Sequence, residues 1–487
     1  MNGPRAALGV ALALALSACG TTVHGAPDAA GVSVDGSGLS AGASGSTTAG
    51  TGSVGQVGSG VTGAGALPDT PGSRAVTTRN SGLATPAGGG TETLPVSRGN
   101  GPIRVGFETI QGGNAFIAQG LGTPVNFGDG HEEVTGVVND INKHGGVNGR
   151  KIQPFFGDWN ASSGDSGREA DCTKMTEDDK VSFIITVVNI SAAYVACGAR
   201  HNAPIINASL GAGDNYLYKE YPLYFYSPSL LSLNTEEALV LKSGRVSGRV
   251  TPAKKVGVVI DQTSGDPQYN RVLSTTVEPT LKAWGIPYET YGVATQADVN
   301  GAVLHFRTDG VKTVMFIAPS GIIEILFMEA AENQGYRPDY ILGDSAASWF
   351  VGQAAPQAQV QHITGAGSLP MSNVPASQYP TTPQEKHCLD VIRAAGETNQ
   401  NRQSSITATV YCQATYEFAA IASQVRGALT PANFYAAYPR ATLTPISTFA
   451  INVTNAQHTA ASQYRTLGYT PRCQCISYTS VLQPVAG

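Results

Sequence analysis

From Gly101 onward one local pattern recurs, and it restricts the fold more than any other feature of the chain. A short apolar run is followed by about a dozen residues of helical character, again and again. Residues 103–107, 152–156, 183–188, 204–207 and 223–226 read as strands. Between the first two, Val134, Val137, Val138 and Ile141 fall at i, i+3, i+4 and i+7, an amphipathic helix that Gly145-Gly146 stops. After Pro252 the cycle restarts with strands at 255–260, 288–293, 314–318, 340–343 and 363–365, and a helix between Gly321 and Gly335. Alternation of this kind predicts an α/β chain with parallel, doubly wound central sheets. Two consecutive cycles predict two similar Rossmann-like lobes. Helices near 384–395 and 407–426 and a few short strands complete the chain.

The first hundred residues differ in kind. Arg5, an apolar run from Ala6 to Leu16 and small residues up to Ala18 form a secretory signal, expected over 1–18. Leu16-Ser17-Ala18-Cys19 also resembles the bacterial lipobox, which implies that Cys19 is lipidated and becomes the mature N-terminus. From there to about residue 100 the chain is mainly Gly, Ser, Thr, Ala and Val, without Phe, Tyr or Trp. Such a segment cannot bury enough apolar area to offset the entropy of ordering. It is expected to be a disordered tether over 19–100, with an r.m.s. span of about 50 Å. Gly38-Leu39-Ser40-Ala41-Gly42 fits a hydrolase elbow, and Gly58-Ser59-Gly60-Val61-Thr62-Gly63 fits a dinucleotide loop. Neither lies between a strand and a helix, so both are accidents of composition.

Net charge is −5, which argues against nucleic acid as a partner. No nucleophile–base pair stands out, so no enzyme is expected. The histidines show no metal-ligating spacing, because Gly130-His131-Glu132-Glu133 lacks a second His four residues on. His131 reads as a surface residue at a helix start. No metal or cofactor is expected.

The stretch Asn142-Lys143-His144-Gly145-Gly146-Val147-Asn148-Gly149-Arg150-Lys151-Ile152 resembles the N-x-x-GG-(I/V)-NGRKI signature of type I periplasmic solute-binding proteins. These are the leucine/isoleucine/valine-binding family of ABC importers. Asp158 fits the continuation of that signature, and Asp261 with Tyr269 is similar to the loop opening the family's second lobe, although Asn270 replaces its Gly. The resemblance covers about residues 101–487. It implies two lobes joined by a three-segment hinge, expected at 101–245 with 370–445 and at 246–369 with 446–487. Ligand would sit in the cleft, beyond the carboxyl ends of the strands.

Ser191 and Ala192 open the helix after the third strand, where a serine N-cap and free amides favour an anion. In the family the matching Ser binds an amino acid's carboxylate. Ser209 and Leu210 fall on the second carboxylate-binding loop, where Leu210 departs from the family's small residues. Either Asp344 or Ser345 takes the place of the family's acidic ligand for the ammonium, and Thr109, Gln111 and Tyr269 are further expected walls. Six cysteines beyond Cys19 predict disulfides in an exported chain. In the usual 2-1-3-4-5 strand order, Cys172 and Cys197 lie on adjacent helices and can bridge. Cys473 and Cys475, two residues apart in an extended segment, would each pair outward with Cys388 or Cys412.

The leading expectation is a monomeric, lipid-anchored extracytoplasmic solute-binding protein, anchored to the outer face of the cell membrane. It would take a small polar solute (amino acid, amide or carboxylate type) and hand it to an ABC permease. The alternatives are a ligand-sensing lipoprotein without a transporter and a structural lipoprotein of the cell envelope.

Overall fold

The computed structural model describes residues 101–111, 128–160, 163–209, 211–318, 321–346, 348–370, 382–397, 404–453 and 458–485. The signal, Cys19, the tether and Leu210 lie outside the described residues, as does the side chain of Gln111.

Five strands form the first sheet: β1 (Ile103–Gln111), β2 (Ile152–Asn160), β3 (Phe183–Thr186), β4 (Ile205–Asn207) and β5 (Phe225–Tyr226). All are parallel, in the order β2-β1-β3-β4-β5. Helix α1 (Gly130–Lys143) starts on an Asp129 N-cap, whose carboxylate accepts the amides of His131 and Glu132. Helices α2 (Gly164–Thr173), α3 (Ala192–Arg200) and α4 (Asn215–Glu220) cover the opposite face. Helices α12 (Pro383–Ala395), α13 (Ser404–Ser423) and α14 (Pro431–Ala437) return to pack beside α1.

The motif after α1 is a folding device. Gly145 and Gly146 have φ of 105° and 70°, and a Cβ on Gly146 would lie 2.1 Å from the Arg150 carbonyl oxygen. Asn148 and Gly149 form a left-handed turn that bridges Val147 to Arg150. Asn142 then binds both backbone groups of Ile152, at 2.7 and 2.8 Å, and fixes the entry to β2.

In the second sheet, β6 (Val256–Asp261), β7 (Tyr288–Val293), β8 (Thr313–Ile317), β9 (Asp339–Leu342) and β10 (Ile363–Gly367) are parallel. Strands β11 (Gln463–Thr470) and β12 (Cys475–Tyr478) are antiparallel additions, and β13 (Gln483–Pro484) pairs with β11. The order is β12-β11-β10-β9-β8-β6-β7. One face is packed by α5 (Leu233–Val246), α6 (Gln268–Val272) and α7 (Glu278–Ala283). The other carries α8 (Gln296–Thr308), α9 (Ile322–Asn333), α10 (Ser348–Ala354) and α11 (Gln357–Val360).

Three chain segments cross between the lobes side by side. The Ser227 amide binds the His458 carbonyl at 2.9 Å, Ala460 binds Pro228 at 3.0 Å and Phe449 binds Ser368 at 3.1 Å. Helix α5 buries Leu233, Val240 and Leu241 against the second sheet. The first crossing therefore precedes Leu233, a correction to the boundary expected at 245/246.

Cys172 bridges Cys197. The other pairing differs from expectation. Cys388 bridges Cys412, joining α12 to α13, and Cys473 bridges Cys475. The last pair is not extended. Gln474 has φ of 52°, and the turn brings the two Cα atoms to 5.1 Å, inside bridging range.

Candidate functional site

Strand carboxyl ends carry the polar residues of both lobes, as open α/β sheets require. In the first lobe the site is built on a buried ion pair. Glu108 of β1 is fully buried, and Arg168 of α2 grips it through two hydrogen bonds of 2.7 and 2.8 Å. Thr186 of β3 donates its hydroxyl to the same carboxylate. The guanidinium also lies 4.4 Å from the centre of the Tyr194 ring and donates to the Asn189 carbonyl at 2.5 Å. Burial opposes its charge, but the adjacent Glu108 carboxylate outweighs this and raises the Arg168 pKa. The pair thus holds the 187–191 loop that presents the α3 N-terminus.

On that loop Ser191 is the N-cap of α3, and its hydroxyl accepts the Tyr194 amide at 3.4 Å. The neighbouring Ala192 amide is occupied. It donates at 2.7 Å to the Asp266 carboxylate, which comes from the second lobe. Ser209 sits beside the loop, donating to Asn189 Oδ1 at 3.1 Å. Thr109 donates to Asp158 at 2.6 Å, and Asp158 meets the His131 ring nitrogen at 2.5 Å. His131 is half exposed and stacks on Phe156, so the pair belongs to the edge of the site.

The second lobe approaches through the start of α6. Gln268 donates to the Ile190 carbonyl at 2.9 Å and its backbone amide binds Asp266 at 2.9 Å. Arg271 reaches across to Asp214, the N-cap of α4, at 2.6 Å. Tyr269 is buried in the same helix. Asp344 accepts the amides of Ser368 and Leu369, where the chain crosses between lobes. The Ser345 amide donates to Glu236 of α5 at 2.6 Å.

Of the expected residues, Ser191, Ala192, Ser209 and Tyr269 gather where the lobes meet. Asp344 instead pins a crossing segment, and Thr109 joins the Asp158–His131 pair. Sequence reasoning missed Asp266, Gln268 and Arg271. Gly265-Asp266-Pro267 reads as a plain turn, and nothing local says that its acid reaches another lobe. It also missed Glu236 and Glu237, which look like the solvent face of a helix and are buried. Among the described residues one group, Glu289, His305 and Asp309, comes close enough to share a metal ion, and it is partly exposed.

Residues 134–474 match a family described as periplasmic binding protein. No curated protein sequence matches the chain. Several solved structures share its fold. One is the branched-chain amino acid transporter substrate-binding protein LivJ from Streptococcus pneumoniae, in complex with isoleucine. It is 15% identical, with a TM-score of 0.54, over 79% of this chain and 99% of that one. The leucine-binding protein LivK from Thermotoga maritima is 9% identical at a TM-score of 0.57, over 78% and 98%. An ABC-transporter solute-binding protein from R. palustris, holding 4-hydroxybenzoate, is 14% identical at 0.57, over 78% and 96%.

Proposed function

Since the chain belongs to the periplasmic binding protein family, whose members bind solutes and are not enzymes, we propose that it captures a small polar solute between its lobes and delivers it to an ABC permease. The observation that carries this reading is the cross-lobe contact at the strand carboxyl ends. Asp266, Gln268 and Arg271 of one lobe bond to Ala192, Ile190 and Asp214 of the other. Bonds of that kind form when a hinge closes and break when it opens. Ser191, Ser209, Tyr269 and Ser345 are the walls a solute would meet, with Thr109 at the rim and Asp344 holding the hinge.

The test is native mass spectrometry of gently purified full-length protein, with small-angle scattering before and after solute addition. A co-purified small molecule and a smaller radius of gyration on binding are expected. A protein that carries nothing and does not contract with any solute would not be a capture protein.

The lipobox-like Leu16-Ser17-Ala18-Cys19 supports an anchored, extracytoplasmic location. Acyl chains on Cys19 would hold the protein at the outer face of the membrane, because two or more chains suffice for stable anchoring. Cys19→Ser should release the protein into the medium or leave it unprocessed. Undiminished membrane association of that variant would exclude the anchor.

A further inference from the structure

The N-terminus of α3 is a place in the first lobe built to attract an anion, and the chain fills it from within. The Ala192 amide already binds Asp266 at 2.7 Å, and Gln268 steadies the same acid through its backbone at 2.9 Å. A solute carboxylate would have to displace an intramolecular one.

The second lobe is short of positive charge at the same level. Glu236 and Glu237 of α5, Asp261 at the end of β6, Glu324 in the first turn of α9 and Asp344 after β9 are all 5% exposed or less. None of them forms an ion pair with a lysine or arginine among the described residues. The arginines at the lobe contact are committed elsewhere, Arg168 to Glu108 and Arg271 to Asp214. Asp261 and Asp344 at least accept backbone amides. Glu324 does not. Neither of its buried oxygens has a hydrogen-bond partner of normal geometry. It sits within electrostatic reach of Glu237 and Asp261, and Glu237 within reach of Glu236.

An unpaired buried carboxylate costs several kcal/mol unless it is neutralised. Burial accordingly pushes Glu237, Glu324 and Asp344 well above the ordinary carboxylate range. A cation arriving with the solute would remove that cost. No three of these five acids lie close enough to share one metal ion, and the group that could do so lies elsewhere. Their spread suits an organic cation.

We propose, building on the solute-capture reading, that the solute is an amine or guanidinium cation without a carboxylate. Asp266 supplies the anion for α3 from inside the chain, and Glu324 with Glu236 and Glu237 receives the positive charge. Asp266 is then the specificity-determining residue, because it excludes the carboxylate-bearing analogue of the same cation.

Matched pairs test this directly. Agmatine is arginine without its carboxylate, and cadaverine is lysine without its own. Calorimetry on the full chain should show the decarboxylated member of a pair binding at least about tenfold more tightly, the worth of one charge-assisted hydrogen bond. Asp266→Ala should erase or reverse that preference. The isosteric Glu324→Gln should weaken agmatine or cadaverine about tenfold with an unchanged melting temperature. Equal or tighter binding of arginine and lysine to the unaltered chain overturns the proposal. So does a preference that Asp266→Ala leaves in place. Silence from all four probes together with a response to leucine or 4-hydroxybenzoate overturns it too, while leaving solute capture standing. Silence from every probe, with no co-purified solute, removes both readings.

Discussion

Arg168→Met should destabilise the protein by roughly 3–5 kcal/mol, the usual cost of breaking one side of a buried ion pair. The side chain is 3% exposed and Glu108 is fully buried, so removing the cation strands a carboxylate where water cannot reach it. Thr186 would remain as its donor, which does not offset a full charge. The variant also loses the bond to the Asn189 carbonyl and the contact with the Tyr194 ring. Methionine fills much of the space, so the loss reads mainly the charge. Arg168→Met combined with Glu108→Leu should recover most of the stability, because an apolar pair needs no compensation. Urea denaturation of the two variants checks this. A single-variant loss below about 1 kcal/mol, the scale of an exposed pair, would mean that the pair is hydrated in solution.

Removing the Cys388–Cys412 bridge should cost about 3–4 kcal/mol, whereas removing Cys473–Cys475 should cost at most about 1–2 kcal/mol. The first closes a loop with a sequence separation of 24, and its loss returns that loop's entropy to the unfolded chain. Cys172–Cys197, with a separation of 25, belongs to the same class. The second joins residues only 2 apart, so it restricts the unfolded chain about half as much. The paired substitutions Cys388→Ala with Cys412→Ala and Cys473→Ser with Cys475→Ser separate the two cases by urea titration. Equal losses would show that native strain, not loop entropy, dominates. Both long-loop bridges sit in the first lobe. Cys388→Ala with Cys412→Ala should therefore raise amide exchange there and leave the second lobe unchanged.

How much of this is legible in the residues depends on how local the cause is. Strand cores such as Phe183–Thr186 and Thr313–Ile317 announce themselves, because a short apolar run is a local signal. Strand β1 runs four residues past the apolar stretch that ends at Phe107. The first of those four is Glu108, polar on paper and buried in fact, because its partner Arg168 lies sixty residues away. The Asn142 motif marks a family by resemblance, and the Asn142–Ile152 bonds give the mark a mechanical reason. Spacing alone makes Cys473-Gln474-Cys475 look like two outward-pairing cysteines on a strand, although Pro471-Arg472 ahead of it signals a turn. Asp266 is illegible for a different reason. Its partner belongs to another lobe, and only the closed hinge brings them together.

The three parallel crossings also set an order of assembly. The first lobe's core joins Ile103, near the start of the globular part, to Ile446, near its end. The second lobe's core begins with Leu233 and is not closed until Leu467 and Ile476 are added. Neither lobe can finish while the chain is still emerging, since each waits for residues made after most of the other. Contacts this distant in sequence are slow to form. The chain would leave its point of synthesis as two open, interleaved halves, a state suited to threading through an export pore and exposed to misassembly on the far side. Cys388–Cys412 joins two helices of the last returning segment, so it can close locally and give that segment a stable hairpin before either lobe is complete.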